Sequence, residues 1–102
     1  MKLKPGVKIG GIRPEIIAAL LVIEPILKGY DQELVITSCR DGRHSKNSKH
    51  YLGCAVDIRT WQLENDDTTD AVVVLIKSAL TSEYYVVNEQ THIHLQFNGA
   101  PI

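Results

Sequence analysis

The stretch His92-Ile93-His94-Leu95-Gln96-Phe97 decides the fold. Side chains alternate across a β-strand, so His92, His94 and Gln96 share one face while Ile93, Leu95 and Phe97 share the other. The apolar face must be covered, and the polar face carries two imidazoles side by side. Tyr84 to Val87 stands just before this stretch and reads as its antiparallel hairpin partner. Cys54 to Arg59 alternates in the same way, with Asp57 on one face and Val56 and Ile58 on the other. Glu33 to Thr37 reads as a further buried strand leading into a polar loop, Arg40 to Lys49, with Asp41-Gly42 as its turn signal.

Two helices are expected to cover the apolar face. Pro14 suits the first helical turn and Glu15 suits the positive end of the dipole beside it. Ile16, Leu20, Ile23 and Leu27 follow a 3.6-residue stripe, joined by Ile17 and Leu21. Pro25 should kink this helix or end its regular part, with Gly29 as a stop. Asp66 or Asp67 is expected to cap a second helix running to about Leu80, with Val72, Leu75, Ile76, Ala79 and Leu80 on one face. Residues 1–12 read as extended or loosely ordered. The expected architecture is α+β: a small antiparallel sheet carrying the histidines and Asp57 on one face, with two main helices packed mainly on the other.

At 102 residues the chain has the length of one domain, residues 1–102. Its hydrophobic fraction of 44% and charged fraction of 23% are ordinary for a globular protein. A net charge of -1 supplies no basic field for nucleic acid or anionic lipid. The longest apolar stretch, Ile16 to Ile23, is too short to span a bilayer, so no membrane insertion is expected. The N-terminus shows no apolar signal region, so synthesis in a cytoplasm is expected, with action elsewhere requiring release. A monomer is the expected state. Cys39 and Cys54 read as reduced thiols, with a disulfide between neighbouring strands as the alternative.

All four histidines fall in two short segments. His44 and His50 lie in or beside the polar loop, and His92 and His94 lie on the last strand. A single strand histidine is most often a hydrogen-bonded core or surface residue. Here two clusters and an aspartate must be explained together. A catalytic zinc needs neutral imidazoles, a carboxylate and an open position for water, and His50, Asp57 and His94 fit that need. Gly53, between the first two, lets the chain turn tightly from loop to strand. A donor set of two nitrogens and one oxygen does not by affinity alone exclude copper, nickel or cobalt.

Ser48-x-His50-x-x-Gly53-x-Ala55-x-Asp57, followed by His92-x-His94, resembles the zinc D-Ala-D-Ala carboxypeptidases and L-alanyl-D-glutamate endopeptidases of bacteria and phages. The zinc-binding signalling domain of hedgehog proteins is similar in fold. The resemblance runs from about Thr37 to Phe97. It implies one zinc ion per chain, held by His50, Asp57 and His94, with His92 as the non-ligand imidazole that donates to a developing oxyanion. It implies a substrate-gripping role for Arg40, within Ser38-x-Arg40; alone, Arg40 also reads as a solvated loop charge. Ser48 either bonds the substrate backbone or orders the loop, and His44 either lines the cleft or is an exposed loop residue.

The chain departs from that pattern at the general base. Many family members carry Asp or Glu three residues before the last ligand, where this chain has Thr91. Glu89 is the nearby carboxylate and is taken as the base, its alternative being a hairpin-turn charge. The resemblance implies hydrolysis of peptidoglycan stem peptides, with the cell wall reached after release from a phage-infected cell or from a virion. The alternative is a catalytically weak zinc-binding module that recognises a peptide or forms part of a phage particle.

Overall fold

The computed structural model describes residues 1–39 and 53–99. In chain order the elements are β1 (Lys2–Leu3), α1 (Pro14–Lys28), β2 (Val35–Ser38), β3 (Ala55–Arg59), α2 (Asp66–Ala79), β4 (Tyr84–Asn88) and β5 (His92–Phe97). The strands form one sheet in the order β1-β2-β3-β5-β4. All neighbours pair antiparallel except β1 and β2, which are parallel. The α+β architecture is therefore the expected one, with two helices and a mostly antiparallel sheet.

Alternation on β5 holds residue by residue. Ile93, Leu95 and Phe97 are buried, and His92, His94 and Gln96 are half-buried on the opposite face. Val56 and Ile58 of β3 and Val86 of β4 join the buried set. Helix α1 packs against β5, α2 packs against β4, and the helices pack against each other. Ile16, Ala19, Leu20, Ile23 and Leu27 of α1 and Val72, Val73 and Ile76 of α2 fill the space between. Each of the Ile, Leu and Val side chains, fully buried, contributes roughly 1.5–3 kcal/mol by leaving water. Two polar links tie the layers: the Tyr84 hydroxyl donates to the Glu15 carbonyl at 2.7 Å, and the Asn88 amide donates to Asp70 at 2.9 Å.

Several expectations are corrected. Residues 2–3 are extended, as one of the two expectations had it, and they also pair as an edge strand: the Lys2 and Lys4 amides donate to the Leu34 and Ile36 carbonyls at 2.9 Å each. That pairing is non-local and leaves no periodic signature. The buried stripe of α1 is narrower than expected: Ile17 and Leu21 are exposed, and Ala19 is buried instead. Pro25 does not end α1, which continues to Lys28. Its missing N–H would have met the carbonyl of Leu21, a residue facing solvent. Gly29 is the C-cap, so α1 stops where expected, although Gly29 remains right-handed at φ −63° and Asp31 takes the left-handed step at φ 57°.

Asn65, rather than Asp66 or Asp67, caps α2; its side chain accepts from the Thr68 amide at 2.9 Å. The two aspartates occupy the first turn, where the dipole favours them. Leu75 is exposed, and Val73 with Thr69 takes its place on the inner face. The observed strands β2 and β3 begin at Val35 and Ala55, slightly inside the expected limits.

Candidate functional site

Register builds the site. Asp57 on β3 stands directly opposite His94 on β5, and Arg59 stands opposite His92. Directly opposed residues have Cβ atoms ~4.5–5.5 Å apart, close enough for short polar side chains to meet. Asp57 Oδ1 lies 3.0 Å from His94 Nδ1 and 3.6 Å from His92 Nε2. One carboxylate oxygen thus stands between two imidazoles. The side chains are 14%, 17% and 31% exposed for Asp57, His94 and His92. The groups are sheltered enough for strong electrostatics yet open to a ligand. The Thr37 hydroxyl donates to the Asp57 carbonyl at 3.4 Å, steadying β3 from its other side.

The remaining nitrogen of each ring has its own partner. His94 Nε2 lies 3.0 Å from Gln96 Oε1, and Gln96 Nε2 donates to Asn98 Oδ1 at 2.6 Å. That second bond orients the Gln96 amide with its oxygen toward the ring. His94 Nε2 thus faces one acceptor and Nδ1 faces another, the Asp57 carboxylate: the protonated ring donates to both, and the neutral ring that donates from Nε2 leaves Nδ1 free to bind a metal. An outer partner of this kind fixes the ring orientation of a metal-ligating histidine. The Asp57 hydrogen bond raises the His94 pKa above its ordinary range; burial opposes this, and Gln96 and the charges of Asp57 and Glu89 add to it. The Asp57 carboxylate beside the ring thus favours positive charge on His94.

The donor chemistry fits a zinc ion. Two donors of a tetrahedral zinc, each ~2.0–2.2 Å from it, lie ~3.4 Å apart. The Asp57–His94 spacing of 3.0 Å is only a few tenths of an ångström shorter. Among the described residues no three or more His, Cys, Asp and Glu side chains group into a metal site on their own. Asp57 and His94 are the expected ligands that lie among them; His50 lies outside, as do Arg40, His44 and Ser48.

The approach to β3 is described from Gly53 onward. Gly53 has φ 73°, as its place at a tight turn requires, and a Cβ there would collide with the Gly11 carbonyl. Its own carbonyl accepts from the Arg13 amide at 3.0 Å. Both cysteines are thiols rather than halves of a disulfide, Cys39 buried and Cys54 half-buried.

Glu89 sits in the β4–β5 turn, and its amide donates to the His92 carbonyl at 2.9 Å. Asn88 pairs with Ile93, so Glu89 stands opposite His92. Asn88 points to the helices, where it meets Asp70, and alternation turns Glu89 to the face of His92 and His94. Its carboxylate is exposed, and its charge contributes to the raised His94 pKa. Thr91 has a part of its own: its hydroxyl lies 2.9 Å from His92 Nδ1. With that hydroxyl donating, the ring proton resides on Nε2, the nitrogen nearer Asp57.

Sequence reasoning missed the Asn98–Gln96–His94 chain and the Thr91–His92 contact. The first had a readable signal, since Gln96 shares the face of His94 one strand repeat away. Tyr85 also went unremarked; its ring stands edge-on to His94 at 6.4 Å. Comparison with protein-family models, with curated proteins and with solved structures finds no match to this chain. Among the described residues, no helix is long and apolar enough to cross a membrane.

Proposed function

We propose that this chain is a zinc-dependent peptidase acting on peptidoglycan stem peptides, of the D-Ala-D-Ala carboxypeptidase or L-alanyl-D-glutamate endopeptidase type. The observation that carries the reading is the direct opposition of Asp57 and His94, with His92 beside them on the same face. The spacing of Ser48, His50, Gly53, Ala55 and Asp57 supports the same family.

His50, Asp57 and His94 would hold one zinc ion, with Gln96 fixing the His94 ring. When bound, zinc supplies Lewis acidity that activates water and polarises a peptide carbonyl. Glu89 takes the proton of the attacking water and passes it to the leaving amine, as a general base and then acid. His92, its Nδ1 satisfied by Thr91, donates its Nε2 proton to the oxygen that becomes negative in the transition state. No covalent enzyme intermediate is required. Arg40, His44 and Ser48 would line the substrate side. A lytic or virion-associated phage enzyme is the setting this reading favours, with the wall reached after release.

The test is incubation of zinc-loaded protein with defined stem peptides, products being read by mass spectrometry. EDTA-treated protein and Glu89→Gln run alongside. The reading expects a zinc-dependent product that disappears in Glu89→Gln. Stoichiometric zinc with no product from any stem peptide would favour the second reading, a zinc-binding peptide-recognition or structural module. The exposed position of Glu89 in its turn supports that second reading.

A further inference from the structure

At the His92 end of the site a cation stands on an aromatic platform. The Arg59 guanidinium carbon lies 3.6 Å from the centroid of the Trp61 ring. Arg59 is paired in register with His92, and by alternation it shares the face of Asp57. No carboxylate pairs with it among the described residues, and its buried Nε has no hydrogen-bond partner. A buried N–H left unmet is costly, and the guanidinium is not spent on a partner among the described residues at that nitrogen. Trp61 is 76% exposed, the most exposed large hydrophobic side chain among the described residues.

This exposure is not that of a slack loop. The Gln62 amide donates to Gln32 Oε1 at 2.8 Å, and Gln62 Oε1 accepts from the Glu33 amide at 2.7 Å. Gln32 is itself 2% exposed. Leu63 is buried, and its amide donates to the Thr60 carbonyl at 3.0 Å. The Thr60 hydroxyl donates to the Thr91 carbonyl at 3.5 Å, joining this loop to the turn that carries Glu89. A tryptophan thus stands in water on a loop tied down on both sides, with one face of its ring covered by a guanidinium.

We infer that Arg59 and Trp61 form a substrate subsite that binds a carboxylate-bearing peptide next to the candidate centre. The guanidinium edge pairs with the carboxylate through parallel N–H donors, the geometry for which arginine is suited. The open face of Trp61 covers the adjoining apolar part of the peptide. Naming the peptide as a peptidoglycan stem peptide rests on the peptidase reading. The anion-and-ring chemistry does not.

Trp61 is the only tryptophan of the chain, so fluorescence excited beyond the tyrosine absorption band reports the surroundings of this side chain alone. Zinc-loaded protein is mixed by stopped flow, before turnover, with a synthetic stem pentapeptide and with the same peptide bearing amides in place of its carboxylates. The acid form should give a saturable change, and the amide form should bind at least tenfold more weakly. Arg59→Gln should lose at least tenfold in affinity for the acid form with its circular dichroism unchanged. Arg59→Lys should recover part of that loss by keeping the charge. Equal affinity for acid and amide, wild-type affinity in Arg59→Gln, or no signal from either peptide overturns the subsite. Cleavage is measured separately on the same peptides. Acid-selective binding without cleavage would sink the peptidase reading and leave the subsite standing.

Discussion

The two faces of β5 differ in what holds them. On one, Ile93, Leu95 and Phe97 are packed beneath α1 and α2, and shape and apolar area carry the stability. On the other, His92, His94 and Gln96 are half-buried and held by hydrogen bonds to Thr91, Asp57 and Asn98. Core atoms gain from being surrounded, whereas the polar groups need directional partners and an opening to solvent. The same six residues thus separate stability from chemistry across the thickness of one strand. Changes on the polar face should alter ligand binding and leave unfolding nearly untouched, and changes beneath should do the reverse.

The sharpest break of that comparison is at Glu89. Glu89→Gln should lower peptide hydrolysis by about 10²–10⁴-fold, the range for a positioned general base. Zinc content by atomic absorption and the thermal midpoint should match wild type, because the side chain is exposed. Retained turnover would remove Glu89 from the mechanism. On the other face, Ile93→Ala should cost about 2–5 kcal/mol in denaturant unfolding, since a fully buried methyl-rich side chain leaves a cavity. If zinc affinity falls as much as stability does, the two faces are not separable.

A smaller effect is expected at Gln96. Replacing it with Leu removes the acceptor that fixes His94 while keeping comparable bulk, and should weaken zinc binding by about 10–100-fold. Competition with a chromophoric chelator measures this, and an unchanged affinity would show that His94 needs no outer partner. The smallest effect is at Tyr84. Tyr84→Phe removes a hydroxyl that donates to Glu15 and should cost about 0.5–1.5 kcal/mol near neutral pH.

Burial, then the charges of Glu15 and Glu83, raise the Tyr84 pKa above its ordinary 10.0. A raised folded pKa means that the phenol's contribution is fully present below the unfolded value. It is lost as pH rises through the folded one. The wild type and Tyr84→Phe should therefore converge in stability above about pH 10. A gap that stays constant in alkaline unfolding curves would show that Tyr84 ionises equally in both states.

The strand part of the candidate site was legible because strand alternation is local. His92, His94 and Gln96 on one face, and Asp57 opposite Val56 and Ile58 on β3, follow from a period of two. Helix positions were less legible. Ile17, Leu21 and Leu75 fit apolar stripes yet face solvent, because a stripe gives a direction while the width of the packed partner decides which side chains are covered. The platform of Arg59 and Trp61 had no local signature; the loop that follows it is tied to Gln32 through Gln62, a contact across 30 residues of chain.

The amino-acid order by itself determined the α+β class, the polar and apolar faces of β3 and β5, and the nature of the donor groups. These depend on backbone periodicity and side-chain chemistry, which each segment carries alone. Only the tertiary structure decided that β3 lies between β2 and β5, with Asp57 opposite His94 across 37 residues of chain. It also decided that residues 2–3 add an edge strand to β2. Pairing and register are settled by burying the apolar faces of distant segments together under the two helices, and no single segment contains that information.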